Sequence, residues 1–362
     1  ARAAYPAEVE AAHGLPDAEE YLETSSYGRL DVEFAPLHEW LRAPHSVDDY
    51  LVDTAIGEIR VSPGTEAIRL ADPRFDFTGI SIVMTVLPSS LFSAGDHTTA
   101  SAHTAEGVIG SMARINTAPH PDGGEPDEWG MTAAHEIAHG LGLLDLYPYN
   151  GRLHRLPPEP TDRTWVWSQF GLMELRAAFA ARPRDARLRF TGSHPDGRGV
   201  TGHTYTLRAG EMLAWSRWQL GWLDESQVVC IGDPEATVTL GPVAGPGEAA
   251  AMAAVPLSDT EVLVIESRRK IGYDDDQERL HPDGALIQVP VLAAEGVLVY
   301  TVDASVESGD LPMRVAGDRG NGRVGDYPIL TRGDRVVVRG YTITVEADDG
   351  DTHTVAISGG RR

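Results

Sequence analysis

Trp129-Gly130-Met131-Thr132-Ala133-Ala134-His135-Glu136-Ile137-Ala138-His139-Gly140-Leu141-Gly142-Leu143-Leu144-Asp145-Leu146-Tyr147 is the stretch of this chain that carries chemistry. His135 and His139 are four residues apart, so on a helix they stand on one face, one turn above the other, and two imidazoles can reach a single Zn2+. Glu136 follows the first histidine directly. From there its carboxylate points toward a water on the metal and not toward the metal, which is where a general base is needed. Gly142 permits the positive φ that ends a helix, after which the chain can fold back. Asp145, six residues past His139, is then placed to give a third metal ligand, with Glu174 and Glu211 as alternatives on later segments. The filler Ile137, Ala138, Leu141, Leu143 and Leu144 is apolar, as expected of a ligand-bearing helix whose other face is packed.

Composition narrows the setting of this site. The chain has 362 residues, 42% hydrophobic and 23% charged, enough for a real core in one large domain or two ordinary ones. Its formal charge of −24, from 54 acidic against 30 basic residues, disfavours nucleic acid and anionic membranes as partners. Lys270 is the single lysine and Cys230 the single cysteine, so neither a disulfide within the chain nor a thiolate metal cluster can form. No apolar run reaches the ~18 residues of a membrane span. The chain opens on Ala1-Arg2-Ala3-Ala4 without an initiator Met or a basic-then-apolar leader, as a processed protein would.

Patterning predicts an α+β fold in two parts. Asp17 is positioned to cap a helix through Ala18-Glu19-Glu20-Tyr21-Leu22, Leu30 to Phe34 alternates like a half-buried strand, and Ile80 to Leu87 is apolar enough for an interior strand. Beyond about residue 236 helical periodicity gives way to strand-like runs, among them Val238-Thr239-Leu240, Val262 to Ile265, Val297 to Tyr300 and Tyr341 to Val345, separated by Gly, Pro and Asp. The expected division is a catalytic domain over 1–228 and a β-rich region over 229–362. His97, His103, His120, His154 and His194 sit in loop-like contexts without ligand spacing and read as surface histidines. Asp274-Asp275-Asp276 and Asp348-Asp349-Gly350-Asp351 offer oxygen ligands for Ca2+ but do not fit an EF-hand spacing.

The chain resembles the immune inhibitor A family of secreted bacterial zinc metallopeptidases, whose site layout is metzincin-like. The resemblance rests on the HExxHxxGxxD pattern from His135 to Asp145, on Ser26-Tyr27-Gly28, and on Asp72-Pro73 with Asp76-Phe77. It continues in Ala214-Trp215 and Arg217 with Leu220-Gly221-Trp222, in Glu266-Ser267-Arg268 with Asp274, and in Gly296 to Asp303. It implies a metzincin-like catalytic fold and a zinc endopeptidase acting outside the cell on protein or peptide substrates, often after loss of a pro-segment. A monomer with no membrane span is expected. It also implies that Met173 forms a turn beneath the metal, and it favours Asp145 over position 146, where family members often carry Glu.

The mechanism expected of such a site uses Zn2+ on His135, His139 and Asp145 with Glu136 as base, and a phenol such as Tyr147 or Tyr149 as an aid to the oxyanion. The rival reading is a secreted zinc-binding module that captures peptides or a partner without cleaving them. The intact Glu136 argues against it, since a degenerate site would first lose its base.

Overall fold

Proline and glycine inside an apolar pattern would ordinarily end a helix, yet the first helix runs through both. The structure, a computed structural model, describes residues 6–45, 50, 62–87, 95–116, 129–146, 210–233, 235–280, 286–289, 292, 294–308, 310–316 and 329–360. Helix α1 spans Ala7–Ser25 and contains Gly14 and Pro16, so it starts well before the Asp17 cap expected from the sequence. Pro16 removes one backbone hydrogen bond, which costs helix stability. Ala18, Tyr21 and Leu22, all fully buried, supply the packing that offsets it.

The described residues form two compact units. The first takes 6–24, 30–45, 50, 62–87, 95–116 and 129–142; the second takes 25–29, 143–146 and those from 210 onward. This division does not coincide with a single cut near residue 228. In the first unit α2 (Pro63–Ala71) begins with Pro63 behind Ser62, whose hydroxyl accepts from the Thr65 N–H at 3.3 Å. Strands β1 (Val83–Leu87), β2 (Gly95–Thr98), β3 (Ala102–His103), β4 (Val108–Ile109) and β5 (Met112–Asn116) follow, then α3 (Gly130–Gly140). Strands β1, β5 and β2 form one sheet in that order, β1 parallel to β5 and β2 antiparallel to it. Strands β3 and β4 form a short ribbon. Ile68, Phe77, Ala102, Ile109 and Met112 make a core beneath α2.

Two sequence expectations change here. Of the run Ile80 to Leu87 only Val83–Leu87 joins the ladder, and its residues are half-buried. Leu30 to Phe34 keeps its alternation of exposure but is no strand, since alternation alone does not build a ladder.

The second unit holds α4 (Ala214–Gln219) and the strands expected beyond residue 236. Strands β6 (Val228–Cys230), β7 (Glu235–Leu240), β8 (Met252–Pro256), β9 (Glu261–Arg268), β10 (Gln277–Leu280) and β11 (Leu286–Val289) precede β12 (Gly296–Asp303) and β13 (Met313–Val315); β14 (Arg335–Val338), β15 (Tyr341–Asp348) and β16 (His353–Gly359) complete it. One sheet has the order β13-β12-β9-β8-β6, another β14-β15-β16-β7, and β10 pairs with β11. Leu263, Ile265, Val297 and Val299 from the first sheet meet Leu240, Ile343, Val345, Val355 and Ile357 from the second in one apolar core. Side chains alternate along a strand, so Val264, Glu266 and Arg268 of β9 lie on the opposite face.

That opposite face buries ions. Arg268 donates to both Asp274 oxygens at 2.6 Å and to Glu266 Oε1 at 2.9 Å. Glu266 Oε2 also accepts from Tyr300 Oη at 2.7 Å and from the Ala214 N–H at 2.9 Å, which ties α4 to the sheet. Arg217 of α4 is fully buried, pairs with Glu211, and donates to Tyr27 Oη at 2.6 Å and to the Val243 carbonyl. Such pairing is required, because an isolated charge would cost several kcal/mol at this depth.

Burial pushes the Asp274 pKa up to about 6 against the opposing pull of Arg268. The native state therefore holds this proton more tightly than the unfolded chain, whose carboxylate titrates near ~3.9. Stability from this group is full at low pH and is lost as pH rises through about 6. Asp274→Asn lacks the titration, so its cost in urea unfolding is expected to be smaller at pH 8 than at pH 5, by on the order of 1 kcal/mol. An equal cost at both pH values would show that Asp274 titrates normally.

Candidate metal centre

Helix α3 gains its position from close approach. A Cβ on Gly130 would lie 2.6 Å from the Gly14 carbonyl oxygen and 2.6 Å from Asp17 Cβ, and one on Gly14 would collide with the Trp129 ring. Only glycine lets α1 and the start of α3 touch this closely. At the other end a Cβ on Gly140 would meet Ile82 Cδ1 at 2.5 Å and Ser111 Oγ at 3.0 Å. The helix also packs on β2 and β5. Gly142 has φ +106°, the left-handed turn expected after the helix, and its N–H bonds the His139 carbonyl at 2.9 Å.

Three side chains of α3 converge. One ligand atom each from His135, Glu136 and His139 lies within 4.8 Å of the others, a group that can hold a metal ion. The His135 and His139 rings stand at 87°, with centroids 4.8 Å apart. His135 and Glu136 are each only 5% exposed, so the group sits in a largely dehydrated place where electrostatic effects are strong. The i, i+4 face read from the sequence is therefore the face that gathers these residues.

A fourth residue stands beside them. His97, read from the sequence as a surface histidine, is half-buried on β2, with its ring centroid 6.0 Å from that of His139 and the rings tilted by 35°. Its Nε2 is 2.8 Å from Ser111 Oγ. Burial first, and the neighbouring His139 second, hold its pKa below the usual imidazole value. The correction comes from strand pairing: β2 lies antiparallel on β5, against which α3 packs, and local sequence carries no trace of that. His103 is exposed, as expected.

The remaining expected residues divide into four groups. Asp145 is buried; its N–H donates to Ser308 Oγ at 3.0 Å, and the Ser308 hydroxyl donates to Oδ2 at 3.3 Å. Glu211 is committed to Arg217 and to the Tyr273 N–H, which removes it from the alternatives for a ligand. Glu174, Met173, Tyr147, Tyr149, His120, His154 and His194 lie outside the described residues. Of the acids offered for calcium, Asp274 is clamped by Arg268, Asp276 pairs with Lys270 at 2.8 Å, and Asp348 pairs with Arg269 at 2.5 Å. Asp349 accepts from the Thr352 N–H and hydroxyl within its own turn.

No family model, curated protein or solved structure matches the chain. Among the described residues no helix is long and apolar enough to cross a membrane.

Gly130→Ala tests how α3 is held. Its Cβ would meet backbone and not a flexible side-chain end, so a loss of about 1–3 kcal/mol is expected in denaturant unfolding, despite the better helix propensity of alanine. Uptake of a metal ion by the group should weaken in parallel. An unchanged midpoint would mean that the two helices separate freely.

Proposed function

We propose that this chain is a secreted zinc-dependent endopeptidase with a metzincin-like catalytic region, as its resemblance to the immune inhibitor A family implies. The observation that carries the reading is the buried convergence of His135, Glu136 and His139 on one rigid helix. The donor set suits zinc: two imidazoles are typical ligands, and a carboxylate adjacent to the first is placed to act as base. Asp145 is assigned as third ligand from its spacing beyond Gly142. A peptide substrate is supported by β2, which among the described residues pairs on one side only and so offers an edge to an extended chain.

Zinc, when bound, supplies a Lewis acid that acidifies water and polarises a carbonyl. Glu136 accepts the proton of the attacking water at its carboxylate and returns it to the leaving amine nitrogen. His135 and His139 would hold the ion, and the burial of His135 and Glu136 limits competing solvent beside the half-buried His139. The enzyme acts on protein or peptide substrates as a monomer outside the cell. Retention of Glu136 favours this over a zinc-binding module that captures peptides without cleavage.

The deciding comparison is zinc content and cleavage of unfolded casein in wild type and Glu136→Ala. One zinc per chain is expected in both, with activity in the variant lower by about 10²–10⁴-fold. Wild-type protein that holds zinc yet cleaves no protein would sink the peptidase reading. For the third ligand, Asp145→Ala should weaken zinc binding by more than the roughly 10–100-fold that loss of a supporting contact costs. Unaltered zinc affinity in a chelator competition would remove Asp145 from the centre.

A further inference from the structure

His97 has no part in the ligand set, yet its ring is placed beside it. Polar atoms of His135, Glu136 and His139 lie within 4.8 Å of one another, and His97 is not part of that group. Its centroid is nevertheless 6.0 Å from that of His139, with the rings tilted by 35°, so the imidazole stands next to the group. The residue is carried by β2, which among the described residues pairs on one side only, the edge to which an extended peptide is proposed to add. Side chains of a strand alternate, and contact with His139 shows that position 97 faces α3.

We propose that His97 is a catalytic residue of this site, donating a hydrogen bond from Nδ1 to the scissile carbonyl oxygen as that oxygen gains negative charge. His97 Nε2 lies 2.8 Å from Ser111 Oγ, a contact in which either group can be the donor. In the tautomer proposed, the serine hydroxyl donates to Nε2 and the imidazole proton is on Nδ1. No proton is transferred: the N–H stays on His97 while its bond to the oxygen strengthens in the transition state. Ser111 is in turn a positioning residue. It lies against Gly140, where a Cβ would come within 3.0 Å of its hydroxyl, so helix, serine and imidazole are set by one packed contact. This donor comes from within the first unit and needs neither Tyr147 nor Tyr149.

The assignment rests on the peptidase reading, and the test separates the two. His97→Ala, His97→Gln and Ser111→Ala are compared with wild type in the full, zinc-loaded chain. The readouts are kcat and KM on a cleaved peptide, zinc affinity by chelator competition, and affinity for a phosphinic peptide that imitates the charged tetrahedral oxygen. His97→Ala should lower kcat by about 10²-fold, the scale of losing one oxyanion donor. KM and zinc affinity should stay within about threefold, and phosphinic-peptide affinity should fall with kcat. His97→Gln, which keeps an N–H, should recover part of the loss, and Ser111→Ala should cost less than His97→Ala.

A change in kcat below about threefold in His97→Ala would overturn the assignment, as would a parallel fall in zinc affinity, which would make His97 a ligand. Should His97→Ala fail to fold, His97→Gln and Ser111→Ala decide: unchanged kcat in both rejects it. Wild type that cleaves nothing removes the peptidase reading and this assignment together. Wild type that cleaves, is silenced by Glu136→Ala and is indifferent to His97→Ala removes this assignment alone.

Discussion

The site depends on how closely one helix can be approached. Helix α3 brings three polar side chains to within 4.8 Å of one another while His135 and Glu136 remain 5% exposed. Buried polar groups are costly unless they are held and partnered, so the surrounding packing has to fix them in one arrangement. Glycine does this at both ends: Gly130 admits α1, and Gly140 admits Ile82 and Ser111. A methyl group at either position would part the helix from its neighbours by some tenths of an ångström or more. Metal ligands tolerate displacements of only about 0.2 Å.

The second unit is organised by a different constraint. Its central strand β9 is buried on both faces, one by the apolar core between the sheets and the other by Arg268, Glu266 and their partners. Residues from widely separated stretches of the chain meet here. Tyr27, Arg217, Glu266, Arg268 and Asp274 lie as much as 247 positions apart in the chain, yet they form one buried cluster with Glu211 and Tyr300. Buried ion networks of this type contribute less to net stability than to the choice of one packing over others, because removing a single partner leaves an uncompensated charge.

What was legible followed the range of the interaction. The i, i+4 pair and the adjacent glutamate are local, and so is the Gly142 turn; all three could be read directly, and they stand where the spacing placed them. The strands of the second unit were legible because both sheets alternate around one core. Helix α1 was read too short, since Gly14 and Pro16 signal a break unless one knows that Trp129 covers the glycine and that Ala18, Tyr21 and Leu22 are fully buried. Leu30 to Phe34 shows the reverse error, an alternation of exposure in a segment that is not a strand. His97 was the largest omission at the site, because its nearness to His139 comes from a sheet register that no spacing in the chain reveals.

The acidic composition also takes on a more definite meaning. The buried cluster carries two arginines against the carboxylates of Glu211, Glu266 and Asp274, so it accounts for little of the formal −24. The excess acid therefore lies elsewhere in the chain. At physiological ionic strength a field from such charges fades over about 8 Å, so it acts on the approach of a substrate far more than on chemistry inside a dehydrated site. Under the proposed function, encounter with cationic peptides and proton transfer at Glu136 would be set by separate parts of the molecule. Changes in surface charge should alter the rate of encounter without altering the base.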